Sequence, residues 1–101
     1  MAERPTVVVS DPLAPEGIAV FEQAGFEVRD LAGASAEELM AALREADALI
    51  VRSGTKVTAE LIENAAKLKV IGRAGAGVDN IDVDAATRRG ILVMNTPGGN
   101  T

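Results

Sequence analysis

The chain has no cysteine, no histidine, no tryptophan and no tyrosine. Without cysteine there is neither a disulfide framework nor a thiolate metal site, which fits a reducing compartment and makes a cytoplasmic location the expectation. Without histidine, the side chain that most often moves a proton near neutral pH is missing, and no metal site is expected. The aromatics are Phe21 and Phe26, so a core has to be built from Val, Ile, Leu, Ala and Met. Basic residues are outnumbered, with 10 Lys and Arg against 15 Asp and Glu and a formal net charge of −5. The charges are scattered and form no basic stripe, so nucleic acid is not an expected partner. No apolar run approaches about 18 residues, and no membrane span is expected. Residues Met1 to Pro5 carry no apolar stretch of the kind a signal peptide needs.

What is present is enough for one folded domain. Apolar residues make up 48% of 101 residues, and a domain of this size buries roughly 60–70% of its unfolded surface. Five short apolar runs recur: Thr6–Ser10, Phe26–Arg29, Ala48–Val51, Lys69–Ile71 and Ile91–Met94. They are too short for helices, are mostly rich in Val and Ile, and are apolar nearly throughout, as strands buried on both faces of a parallel sheet are.

Helical segments separate them. Pro15 suits a first helical turn and Gly25 its end. Ser35 and Glu38 form an S-x-x-E capping box, followed by Leu39, Leu43 and Ala46 on one face. Thr58 caps a third helix carrying Leu61, Ile62 and Ala65. Asp82 caps a fourth, with Val83 and Ala86 inward and Gly90 as its stop. Alternating β and α units with right-handed crossovers predict an α/β fold, a flavodoxin-like doubly wound parallel five-stranded sheet of order 2-1-3-4-5. That fold ends in a fifth helix, and only residues 95 to 101 follow the last strand. With the final helix missing, one sheet face is left open, and a homodimer through that face is the expectation.

In open parallel sheets ligands sit beyond the carboxyl ends of the strands. The segments there are Ser10-Asp11-Pro12, Arg52-Ser53-Gly54-Thr55-Lys56, Gly72 to Gly77, and Asn95 to Asn100. Arg52 suits bidentate capture of a carboxylate or phosphate, or pairing with a nearby acid. Ser53 and Thr55 can donate to the same anion or cap the turn. Lys56 reads as a solvated charge, Asp11 before Pro12 as a turn former. The run Gly75-Ala76-Gly77-Val78-Asp79-Asn80 begins like G-x-G-x-x-G, but Asn80 replaces the third glycine and the run follows the fourth strand, so it is a weak dinucleotide signature. A small anionic ligand is the partner these loops suit. A phosphorylated signalling receiver on the same topology carries an Asp at the end of strand 3, where this chain has Val51-Arg52. A flavin carrier needs a Trp or Tyr to stack on the ring and a Ser/Thr/Gly phosphate cradle after strand 1, and neither is present.

Taken together, Val51 to Thr58, Val70 to Asp82 and Gly90 to Thr101 resemble the D-isomer-specific 2-hydroxyacid dehydrogenases. The resemblance spans the chain and is strongest from residue 49 onward. The ending Asn95-Thr96-Pro97-Gly98-Gly99-Asn100 is similar to the phosphoglycerate branch of that family. The resemblance implies an oxidoreductase with a substrate domain and an NAD-binding Rossmann domain, in which residues 1–101 are a truncated piece of the substrate domain. By the same resemblance, Arg52 and Ser53 face the substrate anion, and the backbone of Gly75, Ala76 and Gly77 approaches its carboxylate. Ala76 lies near the nicotinamide, where Thr or Val is common, and Asn100 matches a hinge residue beside the cleft. The family's catalytic Arg, Glu and His, its true G-x-G-x-x-G and a returning C-terminal helix fall outside this chain. No cofactor is then expected in the chain and NAD in the parent enzyme, which would oxidise 3-phosphoglycerate in serine biosynthesis. The isolated chain is expected to be inactive. The competing expectation is a stand-alone or engineered flavodoxin-like folding or oligomerisation module with no ligand.

Overall fold

A computed structural model describes residues 5–12, 15–52, 54–74 and 80–96. Five strands form one parallel sheet: β1 (Thr6–Val9), β2 (Glu27–Asp30), β3 (Ala48–Val51), β4 (Val70–Ala74) and β5 (Leu92–Thr96). Their order is β2-β1-β3-β4-β5, as the alternating pattern predicts. Helices α1 (Pro15–Gln23), α2 (Ala36–Leu43), α3 (Ala59–Asn64) and α4 (Val83–Arg88) make the crossovers.

The local signals act where the sequence places them. The Ser35 hydroxyl accepts from the Glu38 amide at 3.2 Å, and the Glu38 carboxylate accepts from the Ser35 amide at 3.0 Å. Thr58 and Asp82 cap α3 and α4 through the amides of Leu61 and Ala85. Gly25 and Gly90 take φ of 98° and 74° beyond α1 and α4, in the left-handed region where a side chain is strained. None of the described helices is long and apolar enough to cross a membrane.

Two readings are corrected. Gly72, Arg73 and Ala74 belong to β4 rather than to a loop, and Asn95 and Thr96 belong to β5. The two strands extend together, pairing Gly72 with Met94, Arg73 with Asn95 and Ala74 with Thr96. Backbone pairing does not require apolar side chains, so the hydrophobic pattern ends before the strands do. In α4 the inward pair is Ala85 and Ala86, while Val83 is exposed in the first turn.

The register divides the core into two unequal layers. Val8, Leu49 and Ile71 form one row across β1, β3 and β4 and are fully buried beneath α2, α3 and α4, with Leu43, Ile62 and Ala86. Each buried Val, Leu or Ile among them contributes roughly 1.5–3 kcal/mol by its removal from water. On the opposite face the row runs Val28, Val7, Ala48, Val70, Leu92. Phe21 of α1 packs over the β1 end of it, against Val7, Val9 and Ala48. Toward β5 the cover ends, and Leu92 and Met94 are 60% and 45% exposed.

Candidate anion site at the carboxyl edge of the sheet

Strands β1, β3 and β4 are adjacent and parallel, so the segments that follow them meet at one edge of the sheet. The amide of Ser10 still donates to the carbonyl of Ile50 at 3.1 Å, which carries the pairing past the end of β1. Asp11 comes next, only 7% exposed. The Asp11 carboxylate faces the segment after β3. Oδ2 accepts the amides of Arg52 (2.7 Å) and Thr55 (3.1 Å), and Oδ1 accepts the Thr55 hydroxyl (2.8 Å).

Gly54 lies inside this wrap. A Cβ built there would stand 2.8 Å from Asp11 Oδ1 and 3.3 Å from Cγ, so the close approach requires glycine. Asn80 holds the same turn from the other side: its Nδ2 donates to the carbonyls of Arg52 (2.7 Å) and Thr55 (2.5 Å). The backbone around Asn80 is itself joined to the segment, because Val57 donates to the Asn80 carbonyl and Asp82 to the Val57 carbonyl, both at 2.8 Å. Arg52 and Thr55 therefore each have both backbone groups engaged by side chains from distant segments.

The result fixes the backbone of Arg52 while leaving its side chain exposed. One guanidinium nitrogen, Nη1, reaches the Pro12 carbonyl at 3.4 Å, at the long limit for such a bond. That keeps the cation at the mouth between the β1 and β3 segments, where it can take a carboxylate or phosphate. Thr55 is not a ligand donor here: its hydroxyl and amide are both given to Asp11. Lys56 is exposed, as expected. The other expected site residues, Ser53, Gly75, Ala76, Gly77 and Asn100, lie outside the described residues.

Asp11 and Asn80 are the residues that sequence reasoning undervalued. The signals were an aspartate at a strand end followed by an imino acid, and an asparagine at the third glycine position of the glycine run. Ser10 Oγ and Asn80 Oδ1 are buried at this same edge with no hydrogen-bond partner among the described residues. Such atoms are normally satisfied by water or a ligand. An open groove of about 840 Å³ lies to one side, between α2 and the segment after β3, and is lined by Leu39, Met40, Arg44, Thr55 and Lys56 among others. Arg52 does not line it, and its wall mixes both signs of charge. Among the described residues, no group of three or more acidic, His or Cys side chains is placed to hold a metal ion.

Residues 7–101 match the family model described as D-isomer specific 2-hydroxyacid dehydrogenase, catalytic domain. The D-3-phosphoglycerate dehydrogenases of Methanocaldococcus jannaschii and Homo sapiens are each 54% identical over 95 residues, covering 94% of this chain and 18% of their own length. The chain thus spans about a fifth of the curated relatives it matches. The NAD+-bound 3-phosphoglycerate dehydrogenase of Entamoeba histolytica superposes with a TM-score of 0.81 at 38% identity, over 97% of this chain and 34% of that one. With residues 7–101 inside the matched span, the chain belongs to the D-isomer-specific 2-hydroxyacid dehydrogenases.

Proposed function

We propose that the chain is the first part of the substrate-binding domain of a D-3-phosphoglycerate dehydrogenase, and that Arg52 holds the anionic substrate. The observation that carries this is the placement of Arg52: its backbone is pinned at the carboxyl edge of the sheet by Asp11 and Asn80, and its guanidinium stays exposed at the mouth. A guanidinium on a fixed backbone loses less freedom on binding and can present two parallel N–H groups to a carboxylate or phosphate. The relatives named for this substrate are the source of the substrate class. Ser53, the backbone of Gly75, Ala76 and Gly77, and Asn100 complete the proposed site.

The segment after β3 does not fit a dinucleotide. After β3, the two amides and the hydroxyl that could cradle a pyrophosphate already serve Asp11. We assign the main NAD site to the remainder of the enzyme, with Ala76 near the nicotinamide. NAD would accept the hydride when the 2-hydroxyl is oxidised to a ketone. The chain has no histidine to take the hydroxyl proton, so its own contribution is to bind and orient, and alone it does not turn over.

Titration of the ¹⁵N-labelled chain with 3-phosphoglycerate, followed through the backbone amide NMR signals around residue 52, tests the reading. The expected affinity is weak, with a Kd on the order of 1 mM, or about −4 kcal/mol. Arg52→Gln is expected to abolish the response. An unchanged response in that variant removes Arg52 from the site, and no response in either chain favours a ligand-free folding module.

A further inference from the structure

We propose that Asp11 and Asn80 are positioning residues for anion capture, acting through the backbone of Arg52 and Thr55 without touching the ligand; this rests on the reading of Arg52 given above. The two side chains are complementary in chemistry. A carboxylate has acceptors only, and it faces the amides of Arg52 and Thr55; a carboxamide nitrogen has donors only, and it faces the carbonyls of the same two residues. Arg52 and Thr55 are thus each held on both backbone groups. Asp11 arrives from the end of β1 and Asn80 from the segment leading into α4. The cation's anchor is thereby fixed to two other segments, one after β1 and one before α4.

The clamp has a shape requirement as well. Gly54 leaves room for the Asp11 carboxylate to sit inside the turn, and the Thr55 hydroxyl occupies the oxygen that the two amides leave open. Without either clamp residue, the turn's polar groups would find water, since the turn is partly exposed. The fold would then persist while the direction of the Arg52 side chain becomes variable. Loss of affinity without loss of the fold is what separates a positioning residue from a structural one.

The experiment uses the ¹⁵N-labelled chain titrated with 3-phosphoglycerate, together with amide hydrogen exchange and thermal unfolding. In Asp11→Asn and Asn80→Ala, exchange at Arg52 and Thr55 is expected to quicken about tenfold and the Kd to rise at least about fivefold, the scale of one lost hydrogen bond. Exchange at Ile62 and Ala86 in the core is expected to hold. Thr55→Ser, which keeps the hydroxyl donor, is expected to bind as the parent does, and Thr55→Val to weaken binding in step with Asp11→Asn. If exchange quickens in both clamp variants, Kd stays within about twofold and Arg52→Gln still weakens binding, the positioning role is overturned while the anion site stands. If Arg52→Gln is also without effect, the anion reading itself has failed, and this proposal with it. If both clamp variants unfold, the residues are structural and the proposal is overturned.

Discussion

Asp11 and Thr55, 44 residues apart in sequence, are joined twice: the carboxylate accepts the threonine hydroxyl at 2.8 Å through one oxygen and the threonine amide at 3.1 Å through the other. With the Arg52 amide at 2.7 Å, a nearly buried charge is met by three donors. Asp11→Ala removes the acceptor and strands those donors until water reaches them. The expected cost is about 3 kcal/mol, below the full value of three charge-assisted bonds because the turn can be rehydrated. Urea unfolding of the two chains checks it, and a cost under about 1 kcal/mol would mean that solvent replaces the carboxylate freely.

Gly54 reports on the same contact. Its missing Cβ would overlap Asp11 Oδ1 at 2.8 Å, so Gly54→Ala is expected to cost about 1–3 kcal/mol through a forced shift of the turn. Because the clash is with one side chain, the cost should fall sharply in the Asp11→Ala background. A double-mutant cycle measures this coupling, and additive costs would place the strain elsewhere.

The fold was readable because its signals were local and mutually consistent. Pro15, Ser35 with Glu38, Thr58 and Asp82 mark helix starts by side-chain chemistry, and Gly25 and Gly90 mark ends by backbone conformation. Arg52 was legible for a related reason: an Arg after the apolar run Ala48–Val51 sits at the strand's carboxyl end by construction. Asp11 and Asn80 were not. Their partners lie 41 to 44 and 25 to 28 residues away, and no periodicity encodes which loops a sheet brings together. The full lengths of β4 and β5 were hidden because the two strands extend by pairing with each other through Gly72, Arg73 and Asn95.

The Ser35–Glu38 box makes a prediction about reciprocity. Ser35→Ala removes an acceptor from the first turn of an eight-residue helix whose inward face has one fully buried residue, Leu43. The loss is expected to be about 1 kcal/mol. Glu38→Ala should cost less, and the double variant less than the sum, because each side chain serves the other's backbone amide. Thermal unfolding resolves this, since about 1 kcal/mol corresponds to roughly 4–8 °C in a domain of this size.

Gly72 lies between Ile50 and Met94 in the sheet, and a Cβ there would meet Ile50 Cδ1 at 3.0 Å. An alanine regains strand propensity but presses on the end of a flexible side chain. Gly72→Ala alone is expected to cost about 1 kcal/mol, and in an Ile50→Val background, which removes that methyl group, to cost nothing or to stabilise. Equal costs in both backgrounds would show that the glycine answers to something other than Ile50.

The uncovered end of the sheet sets the last expectation, self-association of the chain. Exposure rises along one row from Ala48 at 5% to Leu92 at 60%, and Met94 beside it is 45% exposed. Two neighbouring apolar side chains on a flat parallel sheet cannot fold back to shield themselves, because strand side chains stand nearly perpendicular to the sheet. Water next to them is released if a second copy covers the face, at about 25 cal/mol per Å² of apolar surface. Sedimentation of the parent chain across a concentration series is therefore expected to show dimer forming at the upper end. Leu92→Lys with Met94→Glu should leave the fold intact, since both positions already face solvent, and shift the chain to monomer. A parent that stays monomeric at the highest concentration, or a double variant that associates as strongly, shows that this face is not where two copies meet.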